Sequence, residues 1–252
     1  MSDAQGRVTA GLVVIGNEIL SGRTQDANTA YLARFLNDAG VRLMEVRVVP
    51  DVEADIVEAV NQLRRRHAYL FTTGGIGPTH DDITSAAVAK ALGRPLTRHP
   101  EAERRLFAYY PEERRTPARM KMADTPEGAD LVDNPISTAP GFRVENVFVL
   151  AGVPKIMQAM LDGVRPLLKG GRPVSSRTLK VEAGEGDVAA TLSEVQARHG
   201  AVDIGSYPFF QQGLFGTSVV VRSDDGTRLD EAFLDLERAL AEQGVATAEE
   251  GG

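Results

Sequence analysis

The 252-residue sequence contains no cysteine and no tryptophan. The missing cysteines exclude a disulfide scaffold, a thiolate zinc site, an iron–sulfur cluster and a cysteine nucleophile, and they suit a reducing, cytoplasmic setting. No stretch approaches the ~18 consecutive apolar residues that a membrane helix needs. The opening MSDAQGRVTAGLVVIG has too short an apolar run for a signal peptide. Positive charge is also in short supply: 28 Lys+Arg against 35 Asp+Glu give a net charge of −7. That balance argues against general nucleic-acid or anionic-membrane binding and leaves room for a local phosphate pocket. With 42% hydrophobic and 25% charged residues, the expectation is a soluble, acidic, globular chain.

Two hydrophobic periods alternate through the first half. Residues 8–15 (VTAGLVVI), 41–49 and 69–72 have the β-branched or alternating character of strands. Residues 27–39, 53–65 and 83–92 repeat apolar positions at helical spacing, two of them stopped by glycine. Such alternation predicts βαβ units and a doubly wound, mostly parallel sheet covered on both faces, an α/β fold. Further on, the pattern predicts a helix over 101–110, short strands at 131–132, 141–144 and 147–150, and a closing helix over 156–168. The Gly/Pro/Ser cluster at 169–176 is read as a linker. It divides a domain of residues 1–168 from a small α+β domain of residues 177–252. There, strands 178–183, 202–209 and 215–223 and helices 187–198 and 228–242 make a β-α-β-β-α set, and ATAEEGG is expected to fray.

In an open parallel sheet, ligands bind beyond the carboxyl ends of the strands. Three strand-ending turns there carry unusual residues: GNEILSGRTQDANT (16–29), TTGGIGPTHDDIT (72–84) and LAGVPK (150–155). Neither a Walker A lysine nor the third glycine of a dinucleotide fingerprint is present, since His80 stands in its place. Gly74, Gly75 and Gly77 allow close backbone approach and positive φ, so several N–H groups can converge on an anion, and the helix that follows adds a dipole. Asp81 and Asp82 beside such a site suit a hard divalent cation or a base. Equally, Thr79 and Asp82 read as an N-cap box. The first turn holds Glu18, Asp26 and Asn28. Asp26 alone reads as a cap, but a long loop in a compact domain is usually functional. Gly152 and Pro154 describe a tight turn with Pro at a helix N1 position. His67, His80 and His99 lack metal spacing, Arg64–Arg66 reads as a solvated helix end, and SYPFF (206–210) reads as core or interface.

The three turns in this order, GLVVIGNEILSG…DANT, TTGGIGPTHDDIT and VLAGVPK, resemble the molybdopterin-binding (MoaB/Mog-like) domain family over roughly residues 8–168. Within it they are most similar to the N-terminal region of the competence/damage-inducible CinA proteins, with the pyrophosphatase-like domain of FAD synthases a related case. PEGADLVDNPISTAPGF (126–142) and IGSYPFF (204–210) are CinA-like too. The resemblance extends to no deamidase domain of the CinA type, so it does not imply that activity.

The resemblance implies a metal-dependent nucleotide pyrophosphatase acting on ADP-ribose- or FAD-type substrates, with molybdopterin binding or adenylyl transfer as one alternative and a non-catalytic binding module as another. It implies Asp82, Asp81 and Glu18 as catalytic residues, with Asp81 and Asp82 holding magnesium, manganese or cobalt. It places Gly16, Asp26, Asn28, Thr73, Gly74, Gly75, Gly77, Thr79, Lys121, Gly152 and Pro154 on the ligand, a phosphorylated nucleotide or pterin. Ala151 stands where many members have Pro, which weakens the third turn as a pterin signal. Self-association into a homo-oligomer is a further implication.

Overall fold

A computed structural model describes residues 7–211 and 214–250. They form two compact units, Met1–Gly171 and Arg172–Gly252. The first unit runs β1 (Thr9–Ile15), α1 (Asn17–Leu20), α2 (Asn28–Asp38), β2 (Arg42–Val49), α3 (Glu53–Arg66), β3 (Tyr69–Thr73) and α4 (Thr84–Leu92). It continues through β4 (Leu96–Arg98), α5 (Pro100–Tyr109), α6 (Pro117–Met120), β5 (Asp124–Pro126), β6 (Asp130–Val132), β7 (Gly141–Val144), β8 (Val147–Leu150) and α7 (Pro154–Val164). Its six-stranded sheet has the order β2-β1-β3-β8-β7-β6. The first four strands are parallel, and β7 and β6 are antiparallel additions. The fold is therefore the α/β, mostly parallel arrangement that the alternating periods predict.

Every residue of β1 is buried, because the strand lies between two helical layers. Val13 and Ile15 pack with Ile56, Val60 and Leu63 of α3 and with Val88 of α4. Leu12 and Val14 face the other way, onto Leu32 and Leu36 of α2 and Met157 and Leu161 of α7. At roughly 1.5–3 kcal/mol for each large apolar side chain fully buried, these two layers are the main source of the unit's stability. From β1 the chain passes to β2 on one side and then back to β3 on the other. The adjoining ends of β1 and β3 are thus the point where the winding reverses.

The second unit holds β9 (Ser175–Val181), α8 (Glu185–Arg198), β10 (Asp203–Gln211), β11 (Leu214–Ser223), α9 (Gly226–Glu242) and β12 (Thr247–Glu249). Its four-stranded antiparallel sheet has the order β10-β11-β9-β12. It has its own core of Leu179, Val181, Val188, Val219, Phe233 and Leu236 among others.

Several expectations need correction. Residues 247–249 of the tail do not fray; they form β12, paired with β9 and clamped by Arg177–Glu249 at 2.9 Å and Lys180–Glu250 at 2.9 Å. A strand of three residues, Thr-Ala-Glu, is too short to show a hydrophobic period. The closing helix ends at Val164 and tightens to a 3-10 turn over Arg165–Leu167, since Pro166 has no N–H to continue the ladder. The 169–176 segment contains the boundary between the units but is not free chain. Gly171 N–H donates to the Gly40 carbonyl at 2.8 Å, and β9 already starts at Ser175. Of the two readings of SYPFF, core or interface, the exposed Tyr207 and Phe210 exclude only the core. No helix among the described residues is long and apolar enough to cross a membrane.

Candidate functional site

The adjacent parallel strands β1, β3 and β8 end side by side, so the turns that follow them share one edge of the sheet. Between these turns lies a cavity of about 560 Å³ lined from each of them: by Glu18, by Gly74, Gly75, Gly77 and Asp82, and by Gly152 and Pro154. Its size lies within the ~300–1,000 Å³ of small-molecule sites. Beside it a niche of about 50 Å³ is lined by Asp26, Asn28 and Thr73, with Glu18, Gly152 and Pro154 common to both. Ten of the expected site residues thus gather at one place.

The glycine turn is built by close packing. Gly74 takes φ +102 and Gly75 φ +67, both in the region that disfavours side chains. A Cβ on Gly74 would stand 2.1 Å from the Ile15 carbonyl oxygen, so only glycine lets β3 leave the sheet this close to β1. The N–H groups of Gly75, Ile76 and Gly77 donate to no protein acceptor among the described residues. Three successive free amides beside a cavity favour an anion.

The helix following this turn is placed differently from expectation. Helix α4 begins at Thr84, with Ile83 as its N-cap, so Thr79 and Asp82 do not cap it. Thr84 N–H bonds the Gly75 carbonyl at 2.9 Å and its hydroxyl bonds the Gly74 carbonyl at 2.9 Å. The helix start therefore braces the glycine turn. Thr79 and Asp82 instead close a turn of their own: Asp82 Oδ2 accepts from Thr79 N–H at 2.8 Å and from the Thr79 hydroxyl. This holds the Asp82 carboxylate at the cavity wall over Gly77.

The remaining expected residues stand outside the walls. Asp81 is not a wall residue; its carboxylate is exposed, 4.0 Å from His80 Nδ1. Lys121 Nζ donates to the Thr79 carbonyl and lines a neighbouring pocket of about 210 Å³, bracing the turn from behind. Gly16 caps α1 and donates to the Val49 carbonyl at 3.2 Å.

In the first loop, Asp26 is committed to the chain. Its Oδ1 accepts from the N–H groups of Asn28 at 2.8 Å and Thr29 at 3.3 Å, and Oδ2 from the Thr29 hydroxyl. Asn28 Nδ2 donates to the Gly152 carbonyl at 2.8 Å and ties the first turn to the third. Its Oδ1, and the Thr73 hydroxyl, are buried without a protein partner. Both line the niche, which therefore offers an acceptor and a hydroxyl to one small donor group.

Sequence reasoning passed over one side of the cavity. Tyr110, Met122, Asn134, Ser137 and Ala139 also line it. Asn134 organises its loop by accepting from Ile136 and Ser137 N–H, each at 3.1 Å, and by donating to Ser137 Oγ and the Ala139 carbonyl. Thr138 in that loop holds φ +66, a conformation that concentrates at ligand sites. The Asn-Pro pair in NPISTAPG was the available signal.

A divalent ion can be tested against these donors. No group of three or more His, Cys, Asp or Glu comes together among the described residues. Asp82 and Glu18 are the two carboxylates on the cavity wall. Magnesium commonly binds through one or two carboxylates and completes its shell with water and substrate phosphates. The donor set fits an ion that arrives with a phosphorylated ligand.

Comparison with known proteins places both units in known domain families. The probable molybdopterin binding domain matches residues 11–170 and the FAD synthase middle domain matches residues 173–249. A protein of Pyrobaculum calidifontis is 40% identical over 214 residues, covering 79% of this chain and 80% of its own length. A CinA-like protein of Syntrophus aciditrophicus is 37% identical over 217 residues, 80% of this chain; the match spans about half, 51%, of that relative. The crystal structure of a CinA protein with unknown function from Thermoplasma acidophilum superposes with a TM-score of 0.61 at 34% identity, covering 64% of this chain and 97% of that one.

Proposed function

The chain belongs to the molybdopterin-binding domain family, with an FAD-synthase-type middle domain behind it and CinA-like relatives, and on that premise we propose that it is a metal-dependent nucleotide pyrophosphatase. Domains of these two types imply a small phosphorylated ligand. The observation that carries the finer reading is the meeting of three free amides, at Gly75, Ile76 and Gly77, with the carboxylates of Asp82 and Glu18 on one cavity. The amides bind one phosphate of a nucleotide pyrophosphate such as ADP-ribose or FAD. A carboxylate beside a phosphate is repulsive unless a cation lies between them, and Asp82, fixed by Thr79, is the residue placed to hold one. The ion would neutralise charge on the phosphates and acidify a bound water. Glu18, which lines both cavity and niche, would take the proton of an attacking water.

The test is incubation with FAD, ADP-ribose, NAD and coenzyme A in magnesium, manganese or cobalt, followed by analysis of released mononucleotides. Release that chelation stops is the expected result, and Asp82→Asn should reduce it to background while the thermal midpoint holds. Wild-type turnover by that variant removes Asp82 from the site. Silence across the panel overturns the hydrolase reading in favour of ligand binding alone.

A further inference from the structure

The cavity has a wall that phosphate chemistry leaves unused. Tyr110 at the end of α5, Met122 in the 3-10 turn Lys121–Ala123, and Ala139 in the loop before β7 all line it. The same three residues belong to one apolar cluster, packed on the buried Ala102, Leu106, Met120 and Ala123. Segments distant in sequence thus bring apolar side chains to the lining of a cavity that also carries the glycine-turn amides and two carboxylates.

Tyr110 is fixed in that surface. Its N–H bonds the Leu106 carbonyl at 2.9 Å. Arg115 donates to its carbonyl at 2.9 Å and to the Phe107 carbonyl at 3.0 Å, closing the end of α5. The Arg119 guanidinium lies over one face of the Tyr110 ring, 5.0 Å from its centroid, and the Tyr109 ring packs against it at an interplanar angle of 80° with centroids 4.9 Å apart. A ring held by a cation, an aromatic edge and a capped backbone loses little freedom when a ligand covers it.

We propose that this wall, with Tyr110 as its centre, stacks the planar heteroaromatic ring of the ligand and makes the site selective for ring-bearing phosphates over sugar phosphates alone. The proposal rests on the reading of the cavity as a phosphorylated-ligand site and deepens it by assigning a specificity residue. A cavity lined by both kinds of group suits a ligand that carries both: phosphate at the glycine turn, ring on Tyr110 and Met122. Nucleobase and isoalloxazine share this chemistry.

Equilibrium titration of the intact protein with AMP, FMN and ribose 5-phosphate tests it, with flavin fluorescence quenching as a second readout for FMN. Tyr110→Ala should weaken AMP or FMN binding about tenfold, the scale of one base–aromatic stack, and leave ribose 5-phosphate unchanged. Whichever ring ligand weakens identifies the source of the ring. Tyr110→Phe should bind as wild type. Tyr110→Leu, which keeps the apolar packing, should behave like the alanine variant. Unchanged AMP and FMN affinity in Tyr110→Ala overturns the proposal, and so does an equal loss for ribose 5-phosphate. These titrations need no turnover, so failure of the hydrolase reading and failure of the stacking wall are seen separately.

Discussion

A Cβ on Gly74 would be 2.1 Å from the Ile15 carbonyl oxygen, on a residue with φ +102. Neither the clash nor the torsion can relax without moving β1 or β3. Gly74→Ala should therefore destabilise the protein by about 1–3 kcal/mol and abolish phosphate binding, read by urea denaturation and ligand titration. A stable variant that still binds would show that the turn is not held as described. Asn28 carries a different dependence. Losing its 2.8 Å bond to the Gly152 carbonyl should cost about 1 kcal/mol, a fall of roughly 2–4 °C in thermal midpoint. Because Asn28→Ala also unties the first turn from the third, ligand affinity should fall further than stability does. Equal losses would reduce Asn28 to a packing residue. The glycines were legible because their chemistry is local. Tyr110 and Met122 were not, because an aromatic and a thioether in a polar segment acquire a role only when the chain brings them to the cavity.

At the level of elements, strand β1 and helix α3 meet through His67, buried at the end of α3. Gly11 of β1 leaves room for the ring: a Cβ there would stand 2.9 Å from His67 Cδ2. His67 Nδ1 lies 3.2 Å from the Thr9 hydroxyl and Nε2 3.7 Å from Glu45 Oε2. Burial pushes the His67 pKa below the usual 6.5, with Glu45 opposing it and Arg66 assisting. An unfolded histidine gains its proton as pH drops through about 6.5, whereas the folded one stays neutral to lower pH. The unfolded state then binds more protons, so stability is complete above pH ~6.5 and is lost as pH falls below it. The urea midpoint of wild type should decline between pH 7 and 5.5, and His67→Gln, whatever its baseline, should be flatter in that window. Parallel curves would exclude His67 as the source. Long periodic elements of this kind were legible in the sequence. The three-residue strands β4 and β5, paired only with each other, are too short to show any period, and α1 is a single turn inside what reads as a loop.

For the molecule as a whole, each unit has hydrophobic clusters of its own among the described residues. The cores around β1 and the cluster under Tyr110 lie within residues 1–171, and the cluster around Phe233 lies within 172–252. Every residue lining the candidate cavity and its niche is in the first unit. If each core sustains its own fold, residues 1–171 expressed alone should unfold cooperatively and, since they hold every lining residue, bind AMP or FMN within about twofold of the intact chain, a difference of about 0.4 kcal/mol. Residues 172–252 expressed alone should also melt cooperatively, with β12 contributing through Arg177. That side chain bonds Glu249 and Asp230, each at 2.9 Å, and lies 3.8 Å above the Phe233 ring. Arg177→Ala should lower the midpoint of this fragment and, in the intact chain, leave ligand binding untouched. A first unit that folds but binds tenfold more weakly than the intact chain would mean that the site draws on the second unit. The FAD-synthase-type module would then be part of the ligand's environment rather than a separately folded companion.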